Sequence, residues 1–454
     1  MSGKYQAYPE YKDSGVEWLG EIPSSWFISD LRRGIEFLTD FEANGSFSDV
    51  KANVNLDSEE KFAWYLRATD LQNNRIGLID GNRTIDEKAY RFLSKTALYG
   101  GELLVAKRGE IGKVYLVPKL NCKATLAPNL YLIRLNELLE PKFSFYWFLS
   151  YFGKPQLELA NKSTTIGALY KDDVKACQAL YPPLEEQTKI ANFLDHETAK
   201  IDTLIEKQQL LIKLLKEKRQ AVISHAVTKG LNPLAPMKDS GVEWLGEVPE
   251  HWVTSRLKYY TKQIVDGAHF TPTYTESGVP FLRVTDIQSK SIDLNLIKYI
   301  PQSEHNELIK RCNPKKGDLL LSKNGTIGVP KLVDWDWDFS IFVSLCLIKF
   351  KDQLSAEYAE YFFKSHELKE QIFGLIKQST VINLHLDKIQ NFWFCIPPRT
   401  EQDEIVASLN HDVGKLDLLV NKATDAIRLM QERRTALISA AVTGKIDVRE
   451  WRAH

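Results

Sequence analysis

Apolar residues recur every three or four positions along two long stretches of the chain, one after Pro183 and one after Pro398. This spacing is typical of an amphipathic helix whose apolar stripe packs against another helix. The stripe has the same register in both stretches, so two similar helices are predicted. The residues predicted to pack in this stripe are Leu194, Ile201, Leu204, Leu211, Leu215 and Val222 in the first helix and Leu409, Leu416, Leu419, Met430 and Leu437 in the second.

The ends of both predicted helices carry suitable residues. Proline and acidic or polar residues stand in the first turns, and Gly230 and Gly444 suit the last turns. Each helix is predicted to run about 40–45 residues, or roughly 60–65 Å. Because a whole domain separates them in the chain, the two helices can pair antiparallel within one molecule. Pairing with the helices of a second chain is the alternative.

Alternating apolar and polar residues predict strands ahead of each long helix. The clearest segments are YLRATDL (65–71) and LYLIRL (130–135) in the first half, and FLRVTDI (281–287) and SLCLIKF (344–350) in the second. Helical stretches rich in aromatic residues follow in each half. Their helical spacing favours core packing over a surface for base stacking. Each half therefore contains a predicted mixed α/β domain of about 150 residues.

The sequence repeats itself. Lys12–Trp26 and Lys238–Trp252, here called the repeat boxes, agree at 12 of 15 positions. Tyr181–Leu231 and Ile396–Ile446 agree at about 21 of 51 positions. Shorter matches lie between them: LRATDLQ with LRVTDIQ, GELLVAKRGEIG with GDLLLSKNGTIG, and a Ser-Thr pair. The order is box, variable domain and helix, twice, which predicts two domains of one fold with different surfaces.

Composition narrows the class of protein. The chain has 59 basic and 59 acidic residues, which argues against a strongly basic, non-specific DNA coat but allows a local basic patch. Five well-separated cysteines favour a reduced, cytoplasmic protein. The first residues lack an apolar signal core, and no run of 18 apolar residues predicts a membrane span.

The motifs of common active sites are missing from the sequence. The segment GEIGK (109–113) is too short for a phosphate-binding GxxxxGK[ST] loop, and we find neither GxGxxG nor HExxH. His196 and His411 match between the repeats, and packing or surface exposure is a simpler interpretation of them than catalysis. We therefore predict no catalytic residue, no metal ligand and no cofactor bound by this chain.

The ordered duplication resembles the specificity subunit of type I restriction–modification enzymes. The resemblance covers nearly the whole chain. It is carried by the duplicated GVEWLGE-P--W box, the GDLL-S--G-IG segment, the Ser-Thr element and the PP--EQ--I---L helix with its AV-T-G ending. Each motif alone is moderately specific, whereas their repetition in order is highly specific.

The resemblance implies an α/β (α+β) fold with two similar target recognition domains, joined by two long antiparallel coiled-coil helices in a pseudo-two-fold repeat. The chain then divides into an N-terminal segment with the first box (1–26), a first recognition domain (27–180), a central helix and linker (181–237), the second box (238–252), a second recognition domain (253–395), and a C-terminal helix and tail (396–454).

The resemblance also implies a non-catalytic role in defence against phage. Each recognition domain would bind one half of a bipartite, asymmetric site in double-stranded DNA. The helices would hold two modification subunits, which use S-adenosylmethionine, and two restriction subunits, which use ATP and Mg²⁺, could join them. A helical scaffold without a DNA role and a solitary DNA-modifying enzyme are the alternatives.

Candidate DNA-contacting residues lie near the repeated turns and the Ser-Thr elements. Lys107 and Lys323 match between the repeats, so phosphate contact or support of a turn suits them better than base recognition. Arg108 and Asn324 differ at one repeat position and are better candidates for base recognition. The full set is Lys107, Arg108, Lys162, Ser163 and Thr164 in the first domain, and Lys323, Asn324, Gln378, Ser379 and Thr380 in the second.

Overall fold

In the computed structural model, the chain divides into two compact units. Unit 1 comprises Met1–Lys207 and Ala426–His454, and unit 2 comprises Gln208–Asp425. Each long helix contributes one half to each unit. Within the part that the structure describes, no helix is both long enough and apolar enough to cross a membrane. The described residues are 5–56, 61–72, 75–76, 83–109, 111–160, 168–289, 291–376 and 383–452.

Unit 1 combines short strands with helices. Its strands are β1 (Tyr11–Asp13), β2 (Glu21–Pro23), β3 (Phe27–Asp30), β4 (Ile35–Asp40), β5 (Ala63–Leu66), β6 (Leu71–Gln72), β7 (Arg75–Ile76), β8 (Thr84–Ile85), β9 (Ala97–Leu98), β10 (Leu103–Ala106), β11 (Val114–Leu116), β12 (Ala124–Leu126), β13 (Leu130–Leu135) and β14 (Gln178–Tyr181). Its helices are α1 (Phe47–Asn53), α2 (Glu87–Phe92), α3 (Pro141–Leu149), α4 (Gly153–Leu159), α5 (Lys171–Ala176) and the first half of α6 (Leu184–Lys229).

A four-stranded antiparallel sheet, in the order β11-β10-β13-β4, forms the centre of unit 1. Successive side chains of a strand point to opposite faces. Leu103 and Ile133 therefore pack with the aromatic residues of α3, whereas Leu104 and Leu132 pack with a second sheet, β8-β5-β12-β9. Because both faces of the sheet are covered, its central strands are apolar at nearly every position.

Unit 2 has a corresponding set of elements. Its strands are β15 (Met237–Asp239), β16 (Glu247–Pro249), β17 (Val253–Arg256), β18 (Thr261–Asp266), β19 (Val279–Leu282), β20 (Lys298–Ile300), β21 (Leu319–Ser322), β22 (Pro330–Leu332), β23 (Ser340–Ile341), β24 (Leu345–Phe350) and β25 (Trp393–Ile396). Its helices are the second half of α6, α7 (Gln302–Leu308), α8 (Ala356–Lys364), α9 (His366–Ile376), α10 (Leu386–Gln390) and the first half of α11 (Arg399–Val442), whose second half belongs to unit 1.

The sheets of unit 2 repeat those of unit 1. The order β18-β24-β21-β22 corresponds to β4-β13-β10-β11, and β17 pairs with β25 as β3 pairs with β14. In the smaller sheets, β19 is parallel to β23 as β5 is to β12. The predicted mixed fold and its internal repetition are both confirmed.

The long helices pair through equivalent contacts in the two units. In unit 1, Arg434 Nε of α11 lies 2.9 Å from Asp202 Oδ1 of α6. In unit 2, Arg219 Nε of α6 lies 3.0 Å from Asp417 Oδ1 of α11. Asp202 and Asp417 occupy the same repeat position, and so do the two arginines. Each unit therefore contains the same ion pair between the two long helices.

The direction of pairing is antiparallel. Within unit 2, Arg219 of α6 lies beside Asp417 of α11, and Gly230, which directly follows the end of α6, lies beside Glu401 in the first turn of α11. A later residue of one helix therefore meets an earlier residue of the other. This arrangement confirms the predicted pairing of the helices within one chain.

The predicted stripe is wrong for three residues. Leu204, Leu211 and Leu419 are 48%, 42% and 48% exposed. Each follows another predicted stripe residue by ten positions, which at about 100° per residue turns it roughly 80° away from the shared face. The other predicted residues are buried or half-buried, namely Leu194, Ile201, Leu215, Val222, Leu409, Leu416, Met430 and Leu437.

Reversing one charge between the helices should weaken unit 1. The Asp202→Arg variant places two guanidinium groups together, and we expect the free energy of unfolding to fall by roughly 1 kcal/mol. The double variant Asp202→Arg/Arg434→Asp should recover most of that loss, because it restores an opposite pair. Urea denaturation of the four proteins of this cycle measures the coupling. Losses in the two single variants that add up to the loss in the double variant would show that the pair contributes nothing.

Candidate nucleic-acid interface

The turns after β10 and β21 have the same backbone conformation in the two units. Gly109 and Gly112 have φ values of +81° and +85°, and Gly325 and Gly328 have +70° and +78°. Side-chain-bearing residues rarely adopt this left-handed region. The glycines of the repeated KRGEIG and KNGTIG segments are therefore required by the turn.

Lys107, which begins the first turn, is held by acidic residues of its own domain. Its Nζ lies 2.8 Å from Asp40 Oδ2 and 2.9 Å from Glu42 Oε1. The second oxygen of Asp40 lies 3.0 Å from Lys171 Nζ. Burial opposes ionisation of Asp40, but hydrogen bonds from the two lysines keep its pKa below the ordinary value. The resulting stabilisation is present above pH 3.8 and is lost as the pH falls through the lower folded pKa.

Lys323 makes the corresponding contact in unit 2. It is buried, and its Nζ donates to Asp266 Oδ1. Its backbone nitrogen donates to the carbonyl of Ser344 at 2.8 Å, and its own carbonyl accepts from Leu384 at 3.0 Å. Of the two roles predicted for the matched lysines, this geometry favours support of the turn over contact with phosphate.

Arg108 and Asn324 follow these lysines and differ in chemistry. Arg108 is exposed on the turn, where its backbone bridges to Ala168. Asn324 is half-buried and bridges to Asn383, and in the described part of the chain neither asparagine Oδ1 has a hydrogen-bond partner. One backbone geometry thus presents a guanidinium group in unit 1 and amide groups in unit 2.

Six candidate residues remain, all near the Ser-Thr elements. They lie outside the described residues, and their proposed contact with DNA stays a prediction. They are Lys162, Ser163, Thr164, Gln378, Ser379 and Thr380.

The repeated LR-TD-Q motif has a structural role that the sequence did not indicate. Arg67 donates from Nε to Asp70 Oδ2 at 3.0 Å and from Nη2 to Oδ1 at 2.7 Å. Arg283 makes the same two bonds to Asp286, at 3.1 and 3.0 Å. Such a bidentate pair fixes the chain at the end of a buried strand.

The repeated glutamine of the PP--EQ motif joins each long helix to its globular domain. Gln187 is buried, and its amide nitrogen donates to the carbonyls of Leu138 and Pro182, both at 2.9 Å. Its amide oxygen accepts from the backbone nitrogen of Glu140 at 2.8 Å. Gln402 makes the corresponding three bonds in unit 2.

A repeated serine joins each domain to the other helix. Ser439 of α11 accepts from the backbone nitrogen of Tyr151 at 2.9 Å in unit 1. Ser224 of α6 accepts from that of His366 at 2.8 Å in unit 2. Each domain is therefore bonded to the beginning of one helix and to the end of the other.

The buried thiols have the properties of core residues. Burial raises the pKa of Cys177, Cys312 and Cys395 to about 12, and it raises that of Cys346 as well. A thiol with so high a pKa is protonated at neutral pH and is a poor nucleophile or metal ligand. In the described ranges, no group of three or more His, Cys, Asp or Glu residues could hold a metal ion.

Comparison with known families identifies the class of protein to which this fold belongs. The family described as the type I restriction modification DNA specificity domain matches residues 41–214 and 264–425. Because these ranges cover more than half of the chain, the chain belongs to this family, and the resemblance seen in the sequence is confirmed.

Two curated proteins and one solved structure illustrate the similarity of this chain to the family. The EcoKI specificity subunit of Escherichia coli K12 is 25% identical over 69% of this chain and 68% of the relative. The MjaVIII specificity subunit of Methanocaldococcus jannaschii is 23% identical over 77% of each chain. A chain solved in a study of type I R-M complex assembly and conformational transition is 18% identical, with a TM-score of 0.68 over 94% of this chain and 99% of that chain, and it has the same fold.

Proposed function

We propose that this chain is the DNA-recognition subunit of a type I restriction–modification complex and that each globular domain recognises one half of a bipartite, asymmetric site. The observation that carries this proposal is that the two domains share one backbone framework but differ in the side chains of an equivalent turn. The two domains share their sheets, turns and bonds to the helices, whereas Arg108 and Asn324 differ at one equivalent position of the turn. Two similar supports with different surface chemistry suit a target whose halves differ.

The side-chain chemistry of the two turns supports a different proposed contact for each. A guanidinium group binds O6 and N7 of guanine with two hydrogen bonds, and a carboxamide binds N6 and N7 of adenine in the same way. Arg108 is proposed to contact guanine in one half-site and Asn324 adenine in the other. Lys107 and Lys323 hold the turns that present these side chains.

Removing either side chain should relax recognition of one half-site alone. We expect Arg108→Ala to weaken binding to the first half-site by about 1–3 kcal/mol, mostly at one base pair, because a bidentate contact is lost. Asn324→Ala should do the same at the second half-site. Competition binding of the assembled complex to DNA with single base changes measures this.

The matched control is Arg91→Ala, which removes another exposed cation from unit 1. It should change affinity little and leave the preferred sequence unchanged. If Arg108→Ala weakens all sequences equally, Arg108 contacts the DNA backbone instead. If the assembled wild-type complex has no sequence preference, a scaffold without a DNA role becomes the better proposal.

The exposed leucines of the long helices support docking of two modification subunits. In unit 1, Leu204 of α6 and Leu429 of α11 are about half exposed. Their repeat equivalents in unit 2, Leu419 and Leu214, are exposed to a similar extent. Apolar side chains at equivalent places in each unit suit two copies of one partner.

The chemistry of the complex is proposed to belong to the partner subunits. Two modification subunits would methylate adenine with S-adenosylmethionine, and two restriction subunits would use ATP and Mg²⁺ to translocate and cut DNA. This chain would bring them to the site in the cytoplasm. Its own contribution would be binding and positioning, without a bound cofactor.

A further inference from the structure

The repeat boxes form two hairpins with the same internal structure. Strands β1 and β2 pair antiparallel in one, and β15 and β16 in the other. Within the first tip, Ser14 Oγ accepts from the backbone nitrogen of Val16 at 3.1 Å, Leu19 is buried, and Gly20 has a φ of +71°. The same bond, at 3.2 Å, forms at the second tip. These contacts explain why the turn and core residues of the box are the same in both copies.

Other identical residues of the boxes are exposed and have no such explanation. Lys12, Glu17, Trp18 and Glu21 are exposed in the first hairpin, and their four identical counterparts are exposed in the second. The tryptophans are the largest of them. Trp18 is 45% exposed and its counterpart Trp244 is 38% exposed.

Contacts within the chain do not account for the identity of the tryptophans. Trp18 stacks on Phe152, with ring centroids 6.1 Å apart. The repeat position of Phe152 is Glu367 in unit 2. Among the described residues Trp244 forms no aromatic ring pair, and it lines a cavity with Arg256 and Trp393 instead. The neighbour has changed while the tryptophan has stayed the same.

Exposed residues at the open end of each hairpin, just after its second strand, do vary. Ser24 and Ser25 in the first box correspond to Glu250 and His251 in the second, and all four are exposed. Exposure therefore permits divergence within the repeat box. The identical exposed tip must serve something that both copies share.

The shared feature is a partner rather than DNA. The two DNA half-sites are proposed to differ, and the carboxylates of Glu17 and Glu21 disfavour a phosphate surface. We infer that each hairpin tip docks on one modification subunit, with Trp18 or Trp244 inserted into an apolar pocket of that subunit beside basic residues that match the two glutamates. Buried tryptophans are frequent centres of protein interfaces. The identity of the partner rests on the proposed function.

Titration of this chain with purified modification subunit tests the inference. Trp18→Ala should weaken one of two binding events at least tenfold and leave the other unchanged, and Trp244→Ala should do the same for the other event. The double variant should weaken both. Native mass spectrometry gives the stoichiometry, and sedimentation gives the affinities. Circular dichroism and the Tm show whether each variant is folded.

Tyr99→Ala and Tyr259→Ala are matched controls, because both tyrosines are exposed and neither has an aromatic counterpart in the other unit. They should leave both binding events unchanged. Folded Trp18→Ala/Trp244→Ala that binds two modification subunits with wild-type affinity overturns the inference, and so does weaker DNA binding with unchanged subunit binding. Wild-type chain that binds no modification subunit overturns the proposed function as well.

Discussion

Lys323→Met should lower the free energy of unfolding of unit 2 by about 3–5 kcal/mol, because it leaves the buried carboxylate of Asp266 without its lysine. The remaining cationic candidate is His269, whose Nε2 lies 3.4 Å from Asp266 Oδ2 and which is largely exposed. Loss of the Lys323–Asp266 pair should also make the turn that presents Asn324 more mobile. Urea denaturation measures the loss, and competition binding should show that recognition of the second half-site is lost and that of the first retained.

Two variants serve as controls for this substitution. Lys107→Met should lower the free energy of unfolding of unit 1 by a smaller amount, because Lys171 still lies 3.0 Å from Asp40. Lys323→Met/Asp266→Asn should recover part of the stability, since no unpaired charge stays buried. If Lys323→Met keeps wild-type stability and both half-site preferences, the lysine does not hold the turn.

Lengthening both long helices should change the distance between the recognised half-sites. Seven residues inserted after Lys207 and seven after Lys422, at equivalent repeat positions, extend each helix by about 10 Å. This length matches roughly three base pairs of duplex DNA. We expect the preferred spacer to lengthen by about that amount while both half-sites stay the same. Sequencing of methylated genomic DNA from cells that express the variant measures the spacer.

Insertion into one helix alone is the control for this lengthening. It would displace the Asp202–Arg434 and Arg219–Asp417 pairs from their register, and we expect loss of assembly rather than a new spacer. An unchanged spacer in a stable, active variant with both helices lengthened would show that the helices do not set the distance.

Much of the fold could be predicted because its sequence pattern occurs twice in the chain. The two helices and their antiparallel pairing followed from one repeated apolar pattern. The same pattern misplaced Leu204 and Leu419, since a spacing of three or four residues does not show which of two neighbouring apolar residues faces the partner. Ile205, next to Leu204, packs against the core instead.

The candidate site was harder to predict, because its geometry depends on residues far apart in the chain. Lys107 is 67 residues from Asp40, and only the folded sheet shows that their charges neutralise each other. The roles of Gln187 and Ser439 also require the tertiary structure. Identity between the repeats marked these residues, but it could not separate residues that hold a domain in place from residues that contact a partner.

The central claim is that each globular domain recognises its own half of one DNA site. The most direct test exchanges residues 27–180 for the corresponding domain of another family member and maps methylated adenines across the host genome. We expect a bipartite motif in which the first half-site changes, while the second half-site and the spacer stay as in the wild type. A motif that is unchanged by the exchange, or that changes in both halves at once, would contradict the claim.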